Sequence, residues 1–205
     1  LTIAEDLKLK NWNNIARQGE DLQEGQLILS SGTKIDHAVY GLLATVGKAE
    51  IQVFQSPTVA IIATGNELKQ IGETVQDFQI RESNSYVLTG LLERLNITPT
   101  FRGLVADNKK EMMETIGEVS SYDIVILTGG VSMGEADFTP EILSRIGVNE
   151  VFHKVAIKPG KPIWVGKKAK GIVFALPGNP LSAQVTFKLF VEPYINECRA
   201  KQKTR

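Results

Sequence analysis

The 205-residue chain carries 23 Lys and Arg residues against 23 Asp and Glu residues, and 42% of its residues are apolar. A chain of this length and composition buries roughly two thirds of its unfolded surface, which excludes a disordered or fibrous protein and predicts one large or two modest globular domains. Because the formal net charge is zero, no overall field attracts nucleic acid or an anionic membrane, and an anion must be bound by local groups. No apolar run approaches the roughly 20 residues of a membrane span. We therefore expect neither nucleic acid nor a membrane as a partner.

Cysteine usage indicates the compartment. Cys198 is the only cysteine, which excludes an intramolecular disulfide and is typical of a reducing, cytoplasmic compartment. His37 and His153 show no metal-ligand spacing, and we interpret both as structural or surface residues. The first residue is Leu1 rather than Met, from which we expect an excerpt of a longer protein.

Residues 1–56 differ in pattern from the rest of the chain. Short apolar stretches at 26–29 and 51–54 are separated by glycines, and residues 38–45 have a short helix-like pattern. This part of the sequence predicts a small, partly β connecting region. The pattern changes at Ser56-Pro57, where continuous apolar runs begin to alternate with amphipathic segments.

Residues 57–200 have the alternation that is typical of a parallel sheet covered by helices on both faces. The run at 59–63 is β-branched and too short for a helix, so it predicts a buried strand. Further strands are predicted near 98–105, 124–127, 151–157, 162–165 and 172–175. Helices are predicted after a cap at Ser83 or Asn84, around Met112 to Val119, around 140–146 and over 181–195. The prediction is an α/β fold, a three-layer doubly wound and mostly parallel sheet, followed by a basic tail at 201–205.

Polar loops follow the predicted strands, and in such a sheet ligands bind beyond the carboxyl ends of the strands. The first three of these loops deliver Glu67, Asp107 and Asp137 to one edge. Three carboxylates could surround a phosphate only with a cation between them, and oxygen ligands of this kind suit Mg²⁺. The sequence therefore predicts a metal-bridged phosphate site formed by these three residues.

Two further segments favour the binding of anions. Gly129, Gly130 and Gly134 permit close backbone approach, so that amide N–H groups and the Ser132 hydroxyl can point at a phosphate. Lys158 and Lys161 lie on a stiff proline turn, where two ammonium groups would stabilise an oxyanion. For each feature taken alone, an ordinary turn, a helix cap or a surface charge remains the alternative.

Several longer strings resemble, in order, the signature blocks of the MoeA and gephyrin family. They are Thr64-Gly65-Asn66-Glu67-Leu68, Glu82-Ser83-Asn84-Ser85, Thr128 to Gly134 with Asp137, Phe152 to Pro162, and Leu176-Pro177-Gly178-Asn179-Pro180. The resemblance extends upstream through Gln18-Gly19-Glu20-Asp21, so it covers nearly the whole chain. The sequence departs from the family pattern at Ala16, where Arg is expected. Family members are also longer at both ends.

The resemblance implies a molybdopterin-binding-like fold and a homodimeric, Mg²⁺-assisted molybdopterin molybdenumtransferase. Such an enzyme takes molybdate and adenylylated molybdopterin, a small-molecule pterin nucleotide, hydrolyses the pyrophosphate link with release of AMP, and leaves molybdenum on the dithiolene. Carried over by motif, Glu67, Asp107 and Asp137 would organise metal and substrate, and Asp21 would be a further acidic residue of the site. The substrate-binding and phosphate-binding residues would be Thr64, Gly65, Ser83, Gly129, Gly130, Ser132, Gly134, Lys158, Lys161, Pro177, Gly178, Asn179, Pro180 and Ser182.

Other functions are compatible with the same fold. The chain could bind molybdopterin or its adenylylated form without inserting metal, or it could act in scaffolding, although no residue selects a partner. A competence-associated pyrophosphatase relative is disfavoured by the stretch from Lys158 to Pro162 and by the upstream region.

Overall fold

The computed structural model describes residues 11–12, 15–106, 108–129 and 139–201. The chain divides into two compact units, with the boundary between Ile51 and Gln52. The described part of the first unit contains one helix, α1 His37–Thr45, with Asp36 as its N-cap. The Asp36 carboxylate accepts hydrogen bonds from the backbone N–H groups of Ala38 and Val39, at 3.0 and 3.1 Å, which satisfies two of the free donors of the first turn.

Residues 1–56 were expected to be partly β, but the residues described within this range contain no strand. In the described residues before β1, which begins at Val59, no strand forms at 26–29 or at 51–54. Leu27 is 80% exposed, and Val53 is 67% exposed. A strand needs a neighbouring strand to bind its N–H and C=O groups, and neither stretch has one among the described residues. An apolar stretch alone was therefore an insufficient sign of a strand.

The second unit is an α/β domain with a six-stranded sheet of order β4-β1-β5-β8-β7-β6. Its strands, together with those of a separate two-stranded ladder, are β1 Val59–Thr64, β2 Leu68–Lys69, β3 Ile80–Arg81, β4 Thr100–Val105, β5 Ile124–Thr128, β6 Asn149–His153, β7 Trp164–Lys167 and β8 Ile172–Leu176. Strands β4, β1, β5 and β8 are parallel, whereas β7 and β6 close one edge in antiparallel pairing. The predicted mostly parallel sheet is confirmed.

Helices cover both faces of this sheet. They are α2 Asn84–Glu93, α3 Lys109–Glu118, α4 Thr139–Arg145 and α5 Pro180–Thr186, which continues through a π-helical turn, Phe187–Val191, into α6 Glu192–Lys201. Along β1 the side chains alternate between two cores: Ile62 packs in the core that contains residues of α3 and α4, and Ile61 packs in the core that contains residues of α2 and the last helix. The three-layer doubly wound prediction is therefore confirmed. Among the described helices, none is long and apolar enough to cross a membrane.

Candidate functional site

The centre of the site is the point where the chain leaves the sheet in opposite directions. From β1 the chain runs to β4 on one side, and from β5 it runs to β6 on the other, although β1 and β5 are neighbours. The register pairs Ala63 with Thr128 and Thr128 with Leu176, so the carboxyl ends of β1, β5 and β8 lie level with one another. A reversal of this kind opens a crevice for ligands in doubly wound sheets.

Gly129 allows the loops after β1 and β5 to approach closely. Its φ is +88°, and a Cβ atom at this position would lie 2.1 Å from the backbone oxygen of Thr64. Gly178, after β8, lies against the same residue, since its own Cβ would lie 3.5 Å from the Gly129 Cα. Gly129 and Gly178, both predicted site residues, are thus in contact at the centre of this edge.

Asn84 ties the beginning of α2 to this centre. Its Nδ2 atom donates hydrogen bonds to Thr128 Oγ1 and to the backbone oxygen of Gly178, each at 2.8 Å. Asn84, predicted as a possible helix cap, and Thr128 both lie in the signature blocks, but neither was among the predicted site residues. The bonds join residues that are 44 and 94 positions apart, so local sequence patterns contain no signal for them.

The helix cap itself differs from expectation. Ser83 occupies the N-cap position of α2, but its side chain makes no capping hydrogen bond. The buried carboxylate of Glu82 accepts from the backbone N–H of Ser85 at 2.7 Å and from its hydroxyl at 2.5 Å. Glu82 therefore stabilises the start of the helix, which leaves the exposed Ser83 side chain outside the cap.

Glu67 is exposed and lies just beyond β1. Its carboxylate is turned back over the preceding turn, because a Cβ atom on Gly65 would lie 2.9 Å from both of its oxygens. The turn is closed by a hydrogen bond from the Leu68 N–H to the Gly65 oxygen at 3.2 Å. A carboxylate held in this way, on the edge described above, can act as a ligand for a hard cation.

Lys158 and Lys161 lie on the loop that joins β6 to β7, which we call the lysine turn, residues 154–163. The pairing of Trp164 with Ala175 puts this loop at the same edge as the end of β8. Both lysine side chains are exposed, and neither forms an ion pair with a described residue. Two ammonium groups without an ion-pair partner among the described residues are therefore available to an anion at this edge, in a chain with no net charge.

The lysine turn is held against the last helix by the buried Gly160, whose φ is +111°. A Cβ atom at Gly160 would lie 2.7 Å from Thr186 Cγ2, at the point where α5 passes into its π-helical turn. Within the loop, the N–H of Val155 donates to the backbone oxygen of Lys161 at 3.0 Å. The loop is therefore closed on itself and packed, which limits how far its lysines can move.

Asn179 caps α5. Its Oδ1 atom accepts from the N–H of Leu181 at 3.1 Å, and from the N–H and hydroxyl of Ser182 at 3.2 and 3.3 Å. Pro180 occupies the first turn, where a missing N–H costs nothing. The preceding Pro177 is buried, so the segment from Pro177 to Ser182 is a well-anchored turn beside Gly178.

The remaining predicted site residues are not brought together in the described structure. Asp107, Gly130, Ser132, Gly134 and Asp137 lie outside the described residues. Asp21 is exposed and belongs to the first unit. No group of three or more His, Cys, Asp or Glu side chains that could hold a metal ion occurs in the described part of the chain. The predicted set of Glu67, Asp107 and Asp137 remains a prediction.

Fold and site together define a doubly wound α/β domain with its ligand edge at a topological switch point. Residues 60–197 match the family described as a probable molybdopterin binding domain, and residues 2–47 match the MoeA N-terminal region, domains I and II. The chain belongs to the molybdopterin-binding-domain family.

Individual relatives support this assignment. The chain is 40% identical to the molybdopterin molybdenumtransferase of Haemophilus influenzae over 93% of this chain and 47% of that protein. It is 36% identical to the enzyme of the same name from Bacillus subtilis over 92% of this chain and 44% of that protein. The crystal structure of the molybdopterin biosynthesis MoeA protein from Pyrococcus horikosii is similar with a TM-score of 0.78 and 32% identity, over 89% of this chain and 45% of that one. The chain thus spans about half the length of the curated relatives that it matches.

Proposed function

We propose that the protein containing this chain is a molybdopterin molybdenumtransferase of molybdenum cofactor biosynthesis. It would take adenylylated molybdopterin and molybdate, cleave the pyrophosphate link by hydrolysis with release of AMP, and leave molybdenum on the dithiolene. The observation that carries the proposal is the 40% identity to a protein of this name over 93% of the chain. The convergence of three strand ends and the lysine turn at one edge supports it.

The lysine turn suits the chemistry of this reaction. Cleavage of a pyrophosphate concentrates negative charge on the phosphate oxygens, and molybdate is itself an oxyanion. The exposed ammonium groups of Lys158 and Lys161 would bind these anions and stabilise the developing charge. The anchoring of the loop at Gly160 lowers the reorganisation that this role requires.

Mg²⁺ is the metal that this proposal includes. Glu67, the one described member of the predicted acidic set, fits such an ion: it supplies hard oxygen ligands and makes no ion pair with a described residue. When bound, the ion would neutralise phosphate charge. Asp107 and Asp137 are the further ligands that we propose, with the loop containing Gly130, Ser132 and Gly134 as the phosphate cradle.

We further propose a homodimer in the cytoplasm, with a pterin nucleotide as the small-molecule ligand and with Asp21 contributing to the complete site. Thr64, Gly65, Ser83 and the turn from Pro177 to Ser182 would shape the pocket. In this proposal the described residues mainly position the substrate and neutralise charge, since none of the described side chains at this edge forms an activated nucleophile with a neighbouring base.

The test is an assay of AMP release by the full-length protein supplied with adenylylated molybdopterin, Mg²⁺ and molybdate, run beside the 205-residue chain alone. We expect molybdate-dependent AMP release and formation of active cofactor by the full-length protein. If the full-length protein binds the substrate but releases no AMP, whichever metal ion is supplied, the result would instead support a binding module. Absence of binding by the full-length protein would contradict the proposed function.

A further inference from the structure

The orientation of the Asn84 amide is determined by its neighbours. An amide nitrogen offers two hydrogens, and here one is donated to Thr128 Oγ1 and the other to the backbone oxygen of Gly178. The Gly178 oxygen can only accept, so the opposite orientation would set two carbonyl oxygens against each other. The oxygen of the Asn84 side chain must therefore point away from Gly178.

That oxygen, Oδ1, is buried and has no hydrogen-bond partner among the described residues. A buried acceptor without a donor costs about 1–3 kcal/mol, and native proteins contain few of them. The rest of the Asn84 side chain is partly exposed at the sheet edge, between the ends of β5 and β8. An unmatched acceptor at a ligand edge indicates a donor that the ligand supplies.

We propose that Asn84 is a specificity-determining residue whose Oδ1 accepts a hydrogen bond from an N–H or O–H group of the ligand. The doubly esterified pyrophosphate link of a pterin nucleotide and molybdate carry no hydrogen at pH 8, so their oxygens cannot match this atom. The corner formed by Asn84, Thr128 and Gly178 therefore takes the uncharged heterocycle or sugar part of a pterin nucleotide, and the oxyanions are left to the other groups of the proposed site, the lysine turn among them. This assignment rests on the proposed function and divides its site into two parts.

Because both Asn84 hydrogens are held, the amide cannot rotate to become a donor without breaking both bonds. The two bonds thus keep Asn84 Oδ1 available only as an acceptor for a ligand donor. They also hold the ends of β5 and β8 together. An anion at this corner would face a carbonyl dipole of the wrong sign. We therefore expect the same two contacts to discriminate against a bare oxyanion.

The test observes the side-chain NH₂ signal of Asn84 by NMR in the ¹⁵N-labelled chain, assigned through its own backbone. Adenylylated molybdopterin, AMP and molybdate are titrated separately at pH 8. We expect adenylylated molybdopterin to shift the Asn84 signal, because a new bond at Oδ1 polarises the whole amide. Molybdate should shift backbone signals of the lysine turn and leave the Asn84 side chain unchanged. A shift of the Asn84 signal by AMP would place the donor in the nucleotide part of the ligand, and no shift by AMP would place it in the pterin.

Affinity provides a second readout. Asn84→Ala should weaken binding of adenylylated molybdopterin about tenfold and leave the affinity for molybdate within twofold of the wild-type value. Asn149→Ala is the matched control, since Asn149 is exposed and its pairing with Lys167 puts it at the opposite edge of the sheet. Thermal unfolding of each variant reports whether the fold is retained, and the wild-type titration stands even if Asn84→Ala unfolds.

The outcomes separate the two claims. Failure of the wild-type chain and of the full-length protein to bind adenylylated molybdopterin would contradict the proposed function. Binding without any change in the Asn84 signal would overturn only the present inference, as would an Asn84 shift caused by molybdate.

Discussion

Asp123 and Thr58 are joined by three hydrogen bonds across 65 residues of sequence, at the sheet edge opposite the candidate site. The Asp123 carboxylate accepts from the backbone N–H and the hydroxyl of Thr58, at 2.9 and 2.8 Å, and the Asp123 N–H donates back to that hydroxyl at 3.0 Å. Each residue directly precedes a strand, Thr58 before β1 and Asp123 before β5. The pair therefore sets the register of the two central strands from their amino ends.

These contacts make stability dependent on pH. Burial tends to raise the pKa of Asp123, but the hydrogen bonds from Thr58 and the charges of Lys170 and Lys168 outweigh it and lower the pKa below 3.8. A depressed folded-state pKa stabilises the protein above the unfolded pKa of about 3.9, and this stabilisation is lost as the pH falls through the folded value. Denaturant unfolding between pH 7 and pH 3 should show this loss, and Asp123→Asn should reduce it.

At pH 7 we expect Asp123→Asn to lower the free energy of unfolding by about 1 kcal/mol, since it weakens a charge-assisted pair of hydrogen bonds. The control is Asp77→Asn, because Asp77 is exposed and no hydrogen bond involves its side chain in the described structure. Equal pH profiles for Asp123→Asn and the wild-type protein would show that Asp123 is not the titrating group.

Gly129→Ala tests the close approach of the loops after β1 and β5. A methyl group would lie 2.1 Å from the Thr64 backbone oxygen at a φ of +88°, so we expect a loss of about 2 kcal/mol or more and a displaced loop. Gly90→Ala is the matched control: Gly90 lies inside α2, and no atom would be within 4 Å of the new methyl group. It should stabilise the protein by about 0.5–1 kcal/mol. Denaturant midpoints measure both, and similar effects would contradict the proposed contact.

Thr64→Val tests whether a buried hydroxyl is maintained for the ligand. Thr64 is 1% exposed, and its Oγ1 has no partner among the described residues. Removal of the hydroxyl at constant shape should leave the free protein equally stable or up to about 1 kcal/mol more stable. Binding of adenylylated molybdopterin should weaken by about tenfold, as measured by calorimetric titration.

Thr186→Val provides the comparison for this variant. The buried Thr186 hydroxyl donates to the Ser182 backbone oxygen at 2.8 Å, so its loss should destabilise the protein by about 1 kcal/mol. If Thr64→Val lowers the free energy of unfolding as much as Thr186→Val does, the Thr64 hydroxyl has a structural partner. Its proposed role toward a ligand would then be refuted.

Lys158→Gln and Lys161→Gln test the lysine turn in the full-length protein. Both side chains are exposed, so stability should remain within about 0.5 kcal/mol of the wild-type value. AMP release should fall at least tenfold for the double variant, because charge on the phosphate oxygens is no longer neutralised. Lys167→Gln, exposed at the end of β7 that lies away from the site, should retain the wild-type rate. An unchanged rate in the double variant would remove the lysine turn from the mechanism.

Glu67→Gln and Asp137→Asn test the proposed metal ligands. Each should raise the Mg²⁺ concentration for half-maximal AMP release about tenfold, because a carboxylate ligand is lost. For Glu67→Gln, whose side chain is exposed, the melting temperature should stay unchanged. Glu118→Gln, an exposed residue at the end of α3, is the control. A normal Mg²⁺ dependence in Glu67→Gln would show that this carboxylate does not contact the ion.

The amino-acid sequence alone determined the doubly wound architecture, because this depends on local periodicity. The β-branched run that begins at Val59 is too short for a helix, and Leu88 and Leu92 recur at helical spacing. Both patterns correspond to buried elements of the structure. The loops after β1, β5 and β8 could likewise be selected from the sequence, since ligands bind at the carboxyl ends of parallel strands whatever the residues are.

Only the tertiary structure decided which side chains meet. The bonds from Asn84 to Thr128 and Gly178 and the contact of Gly160 with Thr186 join segments that are distant in sequence, and no local pattern encodes such pairs. The same holds for strands: the largely apolar residues 26–29 have no strand beside them in the part of the chain that the structure describes, whereas Leu68–Lys69 forms a ladder because Ile80–Arg81 lies beside it. Periodicity reports what one segment can bury, while a hydrogen bond or a ladder needs two segments to be brought together by the rest of the fold.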